Sequence, residues 1–218
     1  MKKSVISALA VSLLSGALIS TSAVADTYIE VTVTNLTKGI TFTPTLVAST
    51  RPGDRFFAAG DVASSELETI AETGNPGPLA DSLDAYDHAT LGFIGPGGSD
   101  SVTILTRGSY SAVTVASMLI PTNDTFFALN GIAGPRGNKT KIVYVSAYDA
   151  GTELNDELCA SLPGPGCGPD AGPASDGEGY IYISNGIRGV GDLDADLRDW
   201  NNPVARITIT RLADVDED

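Results

Sequence analysis

Residues 113–153 read VTVASMLIPTNDTFFALNGIAGPRGNKTKIVYVSAYDAGTE, and this stretch decides the fold. It contains three apolar runs typical of β-strands, at 113–120, 125–129 and 142–148, and polar or Gly/Pro-rich turns separate them. If the three runs are consecutive antiparallel strands, the turn before the second run and the loop after the third lie at the same end of the sheet. The sequence therefore predicts that side chains from these two connections come together.

Three carboxylates fall in the two connections, namely Asp124, Asp149 and Glu153. Carboxylates that converge repel one another unless a cation lies between them, and oxygen ligands of this kind suit Ca²⁺. Asp is also a common turn residue, because its side chain accepts a hydrogen bond from the backbone two residues further on. The residues alone leave both interpretations open, a calcium site or a pair of polar turns.

Runs with strand character recur along the whole chain, and Gly- and Pro-rich turns separate them. About eight or nine short strands in this arrangement predict an all-β fold, an antiparallel β-sandwich. Besides the three runs above, the predicted strands are 28–34, 41–49, 88–94, 102–106, 180–184 and 204–212. The core residues that these patterns predict are Val31, Val33, Val115, Ile142 or Val143, Ile207 and Ile209.

One helix is predicted at Ser65–Thr73. Ser65 and Glu68 have the spacing of a capping box, apolar residues recur on one side, and Gly74 provides the stop. A second short helical turn is predicted at 79–86. We expect these helices to flank the sandwich and not to bind a ligand.

The first 25 residues have the features of a secretory signal peptide. Two lysines precede an apolar stretch that is too short for a stable membrane span, and Ala23-Val24-Ala25 is a cleavage site. The mature protein is expected to begin at Asp26, to be secreted or periplasmic, and to have no membrane span. We expect one domain at 26–213 and an acidic tail at 214–218.

The chain contains 27 Asp and Glu residues against 13 Lys and Arg, which gives a formal net charge of −14. Cleavage after Ala25 removes two lysines and brings the charge to −16. A charge of this sign disfavours binding to nucleic acid and direct binding to an anionic membrane. It is compatible with divalent cations, with cationic partners, or with solubility in a saline medium.

Cys159 and Cys167 are the two cysteines of the chain. Two cysteines in an exported protein usually pair, and the residues between these two are rich in Pro and Gly. The sequence therefore predicts a structural disulfide that closes a short loop. Because Cys159 lies six residues after Glu153, the bond is expected to brace the end of the molecule that holds the three acids.

The segment SMLIPTNDTFF, at 117–127, is followed by YDAGTE at 148–153. Together with GDVASSELETIAETG at 60–74 and PVARITITR at 203–211, these segments resemble the spondin domain family, which is known from the amino-terminal part of F-spondin and mindin. The resemblance extends from about Tyr28 to Leu212. The further Cys- and Trp-rich modules of those animal matrix proteins have no counterpart in this chain.

The resemblance implies a β-sandwich related in shape to C2 domains, with Ca²⁺ held in loops at one end. It implies Asp124, Asp149 and Glu153 as the metal-binding residues. It also implies a role in adhesion or recognition, with an extracellular glycan or protein as the ligand and no enzyme activity.

Two other functions remain open from the sequence. One is a carbohydrate- or ester-cleaving hydrolase on a β-sandwich, since the many acids allow a catalytic pair. The other is a purely structural protein of the envelope or matrix. His88 is the only histidine and no G-x-S-x-G motif is present, so a serine hydrolase is not expected.

The segment 191–199 imitates the start of an EF-hand through Asp192, Asp194 and Asp196. The sixth position of the loop requires Gly and is occupied here by Leu197, so the EF-hand interpretation is rejected. A second cation site at these three acids stays open. The sequence does not decide the oligomeric state.

Overall fold

The structure is a computed structural model, and it describes residues 26–168 and 172–212. The predicted signal peptide and the predicted acidic tail lie outside these residues. In the described part of the chain, no helix combines the length and the apolar character needed to cross a membrane.

Antiparallel β-strands are the main regular structure of the described residues. In chain order they are β1 Thr27–Asn35, β2 Thr41–Phe42, β3 Thr45–Thr50, β4 Asp87–Leu91, β5 Ser99–Thr106, β6 Ala112–Ile120, β7 Thr125–Ala133, β8 Thr140–Val145, β9 Ala147–Asp149, β10 Tyr182–Ile183 and β11 Ala205–Arg211. The helices are α1 Ser65–Thr73, α2 Gly77–Ser82 and α3 Ala195–Arg198.

The strands form two sheets. One has the order β5-β1-β11-β8, and the other has the order β10-β9-β7-β6-β3-β4, with β2 paired to β6. All of these pairings are antiparallel. Buried side chains from both sheets, among them Val31, Val115 and Ile207, meet in one hydrophobic cluster. The predicted antiparallel β-sandwich is confirmed.

Strand β6 is buried along its whole length, because its sheet is covered on both faces. Val115 and Leu119 pack towards the other sheet. On the opposite face, Ala116 belongs to a second cluster that includes Leu67 and Ile70 of α1. Burial on both faces explains why β6 is a continuous apolar run and not an alternating one.

The predicted core residues of β1, β6 and β11 are fully buried: Val31, Val33, Val115, Ile207 and Ile209. In β8 the inward residue is Val143, which packs against the core, whereas Ile142 is 55% exposed. The alternation of these strands therefore predicted their inward faces correctly, and the structure decides between Ile142 and Val143.

The run 142–148 was predicted as one strand that continues the sheet of β6 and β7, and this prediction is wrong. The run divides at Ser146, so that β8 pairs with β11 in one sheet and β9 pairs with β7 in the other. The side-chain oxygen of Asn202 accepts a hydrogen bond from the Ala147 N–H at 2.8 Å. A side chain from a distant loop thus replaces a ladder hydrogen bond where the chain crosses between the sheets.

Helix α1 has the predicted bounds, but its N-cap is Ser64 and not Ser65. The Ser64 hydroxyl accepts a hydrogen bond from the Leu67 N–H at 3.3 Å, which satisfies one of the free N–H groups of the first turn. Gly74 ends the helix in the left-handed conformation, as predicted. The second helix, α2, is shorter than the predicted 79–86 and begins earlier.

The two ends of the sandwich differ in their connections. We call the end formed by residues 121–124 and 150–204 the loop end. The opposite end, formed by residues 51–56 and by the connections 107–111 and 134–139, is the turn end. The first residues of β1 and the last residues of β11 also lie at the turn end, since Ile29 pairs with Arg211.

Candidate functional site

Asp124 is the last residue of the turn between β6 and β7, and it is fully buried. Its Oδ2 accepts hydrogen bonds from the Thr152 N–H at 2.8 Å, from the Glu153 N–H at 3.0 Å and from the Thr152 hydroxyl at 3.2 Å. Its Oδ1 is buried and has no hydrogen-bond partner among the described residues. One oxygen of this carboxylate therefore organises the loop after β9, and the other lacks a donor.

Asp149 ends β9 and lies opposite Thr125, the residue that follows Asp124. Its Oδ1 accepts the Gly151 N–H at 2.9 Å, and its Oδ2 accepts the side-chain amide of Asn155 at 2.7 Å. The structure thus brings the Asp124 turn and the Asp149 loop to one end of the sheet, although the third predicted strand is divided between two sheets.

Glu153 is buried four residues further along. Its N–H donates to Asp124, and its Oε1 accepts the N–H of Ala174 at 3.0 Å. Residue 153 also forms a bridge with Asp176. Glu153 therefore connects the loop after β9 to the segment that begins at residue 172.

Burial, together with the charges of nearby carboxylates, raises the pKa of all three carboxyls. Loss of solvent, followed by the charge of Asp149, raises the pKa of Asp124 to about 7, although the Thr152 and Glu153 donors oppose the shift. Burial also raises the pKa of Asp149. Burial raises the pKa of Glu153 to about 7, with contributions from the charges of Glu72 and Asp124. At neutral pH these groups hold a proton, bear uncompensated charge, or bind a cation.

No ion pair neutralises these acids in the described chain, whose two ion pairs both lie at the turn end. Arg188 lines a cleft beside Asp149, but its guanidinium donates to the backbone oxygen of Asn155. Within the described residues, the three acids therefore have no cationic partner.

The cleft beside Asp149 has a volume of about 40 Å³. Its other lining residues include Asn155, Glu178, Tyr182 and Asn185. Burial, followed by the charge of Asp149, raises the pKa of Tyr182, so its hydroxyl remains neutral. A space of this size takes an ion or one or two water molecules and is far smaller than a cleft that holds a sugar or a drug-sized ligand.

The three carboxylates do not form a ready-made set of metal ligands. Within residues 26–168 and 172–212, no three Asp, Glu, His or Cys side chains are grouped so that they could hold a metal ion. Carboxylate oxygens carry more than one lone pair, so those of Asp149 and Glu153 keep binding capacity beyond their present N–H donors. The free Oδ1 of Asp124 fits a cation, but the other carboxylates are not gathered around it.

Some residues that shape the loop end were not predicted from the sequence. Glu157 is buried, and its two oxygens accept the N–H groups of Arg188 at 2.6 Å and Val190 at 2.9 Å. Asn155 links Asp149 to the Tyr182 hydroxyl. The available sequence signal was the concentration of polar residues after Asp149, which does not show the path of the chain.

The predicted disulfide between Cys159 and Cys167 is present at the loop end. Two of the three acids considered for a second cation accept hydrogen bonds within the chain. Asp192 accepts the Cys159 N–H at 2.9 Å, and Asp194 caps α3 by accepting the Asp196 N–H at 2.9 Å. These contacts give Asp192 and Asp194 structural roles.

Comparison with protein-family models and with curated proteins found no match for this chain.

Proposed function

We propose that the protein is a secreted, calcium-binding recognition domain of the spondin type. In this proposal Asp124, Asp149 and Glu153 bind Ca²⁺ at the loop end, and the loops ordered there contact an extracellular glycan or protein. The observation that supports it most is the buried Oδ1 of Asp124, which has no donor among the described residues and lies next to a second buried carboxylate.

Burial of a charged oxygen without a partner is costly, and a neighbouring negative charge increases the cost. A hard divalent cation removes both costs, because it binds the free oxygen and converts the repulsion between the carboxylates into attraction to the ion. Ca²⁺ takes six to eight oxygen ligands in flexible geometry, so backbone carbonyls and water would complete the set. Since the three acids are not yet gathered around one point, ion binding should order the loops that carry them.

Recognition is supported by the surface of the loop end. Several large apolar side chains of residues 150–204 are exposed, and they are Leu154, Leu158, Tyr180, Ile183, Val190 and Leu197. Exposed apolar side chains of this kind are available for contact with a partner. The segments that resemble the spondin family, 117–127 and 148–153, include Asp124 and Asp149 and the strands β6, β7 and β9 that position them.

Thermal unfolding in EDTA and in millimolar Ca²⁺ tests the calcium site. At about 100 times its dissociation constant, Ca²⁺ should add about 2.7 kcal/mol of stability, which corresponds to roughly 5 to 10 °C for a chain of this size. Asp124→Asn should abolish this gain and should raise the melting temperature in EDTA at pH 8, because it removes a buried charge. Asp81→Asn, an exposed change on α2, is the matched control and should behave like the parent.

The gain from Ca²⁺ should also be larger at pH 8 than at pH 5, since protons compete for carboxyls whose pKa is about 7. If the parent melts at the same temperature with and without Ca²⁺, and calorimetry detects no binding, the proposal is wrong. The three acids would then be proton-holding residues that organise the loops.

A further inference from the structure

We propose that a pocket beside the loop end is a second binding site, which takes a small, uncharged hydrophobic molecule. The site goes beyond the proposed calcium function, and it does not depend on Ca²⁺. The pocket has a volume of about 460 Å³, which falls within the range of clefts that hold small ligands. It lies between β2, the end of α1, the end of β6 and the loop that the disulfide closes.

The described residues that line the pocket are three prolines, three threonines, one phenylalanine, one isoleucine and one glycine. None of these lining residues bears a charge, although the whole chain contains 27 acids and 13 bases. Moving a charged group from water into surroundings that offer it no partner is costly. The lining therefore favours an uncharged ligand.

The polar groups of the lining are largely engaged within the chain. The Thr43 hydroxyl accepts a hydrogen bond from the Met118 N–H at 3.2 Å. The Thr73 hydroxyl donates to the Thr69 backbone oxygen at 2.6 Å and accepts the Asn75 N–H at 3.3 Å. A sugar needs partners for several hydroxyl groups, because each one left unpaired on binding weakens the complex. The lining therefore fits a hydrophobic molecule better than a sugar.

The disulfide loop forms one wall of the pocket, and contacts within the chain hold this wall in place. Pro163 and Pro165 line the pocket. Gly164, between them, packs against Ile120, since a Cβ at this glycine would lie 2.9 Å from the Ile120 side chain. The Pro165 backbone oxygen accepts a hydrogen bond from the Arg198 guanidinium at 2.7 Å. The pocket is therefore formed before a ligand arrives, as is usual for small-molecule sites.

Phe93 also lines the pocket, and it is 66% exposed. The next residue, Ile94, exchanges two backbone hydrogen bonds with Phe42, at 3.0 and 3.1 Å, and this bridge fixes the backbone beside Phe93. An exposed aromatic side chain offers apolar surface that a ligand can remove from water. Because five separate segments of the chain contribute to the lining, the pocket suits a compact molecule and not an extended chain.

Fluorescence titration with N-phenylnaphthylamine in EDTA at pH 8 tests the site. This dye is uncharged, and anilinonaphthalene sulfonate is the same ring system with a negative charge added. Saturable binding of the uncharged dye is expected. The sulfonate should bind at least about tenfold more weakly, because its charge would enter an uncharged lining on a chain whose net charge is negative.

Phe93→Ala should weaken binding of the uncharged dye about tenfold, because apolar contact area is lost. Phe93→Leu keeps an apolar side chain and should retain most of the affinity. Replacing both cysteines by Ser should also weaken binding, since it loosens the wall that the disulfide loop forms. Tyr28→Ala is the matched control, because it removes an exposed aromatic side chain at the turn end, and it should bind the dye like the parent.

Asp124→Asn should also bind the dye like the parent, so a failure of this proposal is distinguishable from a failure of the calcium proposal. Absence of saturable dye binding to the parent would overturn the proposal. Equal binding of the sulfonate would overturn it as well, because the lining would then not select against charge. Unchanged binding by Phe93→Ala would show that the dye binds elsewhere and that the pocket is not the site.

Discussion

The loop end and the turn end close the same two sheets in different ways. At the turn end, the short connections 107–111 and 134–139 join strands of different sheets, β5 to β6 and β7 to β8. At the loop end, the described parts of the long segment, 150–168 and 172–204, have little regular structure, and buried carboxylates hold them in place. Asp124, Glu153 and Glu157 each accept N–H groups from segments distant in sequence. A few buried acids thus organise backbone that has no strand or helix partner.

The largest expected effect contrasts two glycines with similar backbone conformations. Gly151 at the loop end has φ 67°, and Gly137 at the turn end has φ 63°. A Cβ at Gly151 would collide with the backbone carbonyl of Tyr180, whereas nothing lies within 4 Å of a Cβ at Gly137. Gly151→Ala should therefore cost roughly 3 kcal/mol or more, and Gly137→Ala about 1 kcal/mol for the backbone conformation alone.

Urea denaturation of both variants and the parent measures these costs. Similar losses for the two variants would mean that the backbone at Gly151 and Tyr180 shifts easily to accommodate the added Cβ. The loop end would then be less firmly organised than its hydrogen bonds indicate.

The second prediction concerns pH in the absence of metal. The pKa of Asp124 rises from 3.8 to about 7 on folding, so its contribution to stability is fully present below about pH 4 and is lost as the pH rises through 7. We expect the metal-free parent to lose roughly 2 to 4 kcal/mol between pH 5 and pH 8. Asp124→Asn should lose clearly less in denaturant titrations at the two pH values.

The turn end does not interfere with this measurement through Asp84. A hydrogen bond from the Arg51 guanidinium lowers the pKa of Asp84 below its ordinary 3.8, so its titration lies outside the range of pH 5 to 8. A parent whose stability is flat over this range would show that Asp124 is not a buried, strained carboxyl.

The third prediction concerns the disulfide. Replacing Cys159 and Cys167 together by Ser should cost about 2 to 3 kcal/mol, because the bond restricts the unfolded chain. Hydrogen exchange should increase mainly in the loop end, around residues 154–168 and 186–192, since Cys159 also donates to Asp192. Equal loss of protection at the turn end would indicate that the two ends unfold as one unit.

The smallest effect is expected at the turn end. Asp26→Asn breaks the exposed ion pair with Arg107, whose side chain is 54% exposed. Exposed ion pairs contribute little, so the melting temperature should change by less than about 1 °C. Differential scanning calorimetry provides the measurement, and a larger fall would mean that the charges of the turn end stabilise the fold.

Periodicity predicted the parts of the fold that repeat. Alternation in β1 and β11 identified the buried residues Val31 and Ile207, and the apolar stripe of α1 gave its bounds. Periodicity could not show the break at Ser146, because the alternating pattern continues through the point where the chain changes sheets. That break depends on Asn202, which lies in a loop with no pattern of its own.

The same distinction applies to the candidate site, where residues next to strands could be predicted and residues in irregular segments could not. Asp124 and Asp149 were predicted to meet because both directly adjoin strands, and strand order fixes where they lie. Glu157 and Asn155 could not be predicted, since their positions depend on the irregular path of residues 150–204. The helix cap is a smaller case of the same kind. Ser64 and Ser65 are adjacent and both fit an N-cap, and only the folded backbone shows that Ser64 is the cap.

The pairing of Ile29 with Arg211 has a practical consequence for how the molecule is presented. A peptide tag, a bead or a neighbouring domain that is joined just before β1 or just after β11 sits at the same pole of the molecule. The nine residues of β1 span about 30 Å, so the acidic loops would face away from such an attachment at roughly that distance. Immobilisation through either strand leaves the proposed calcium pole open to solution and shields the turn end, so an assay of each pole requires its own geometry.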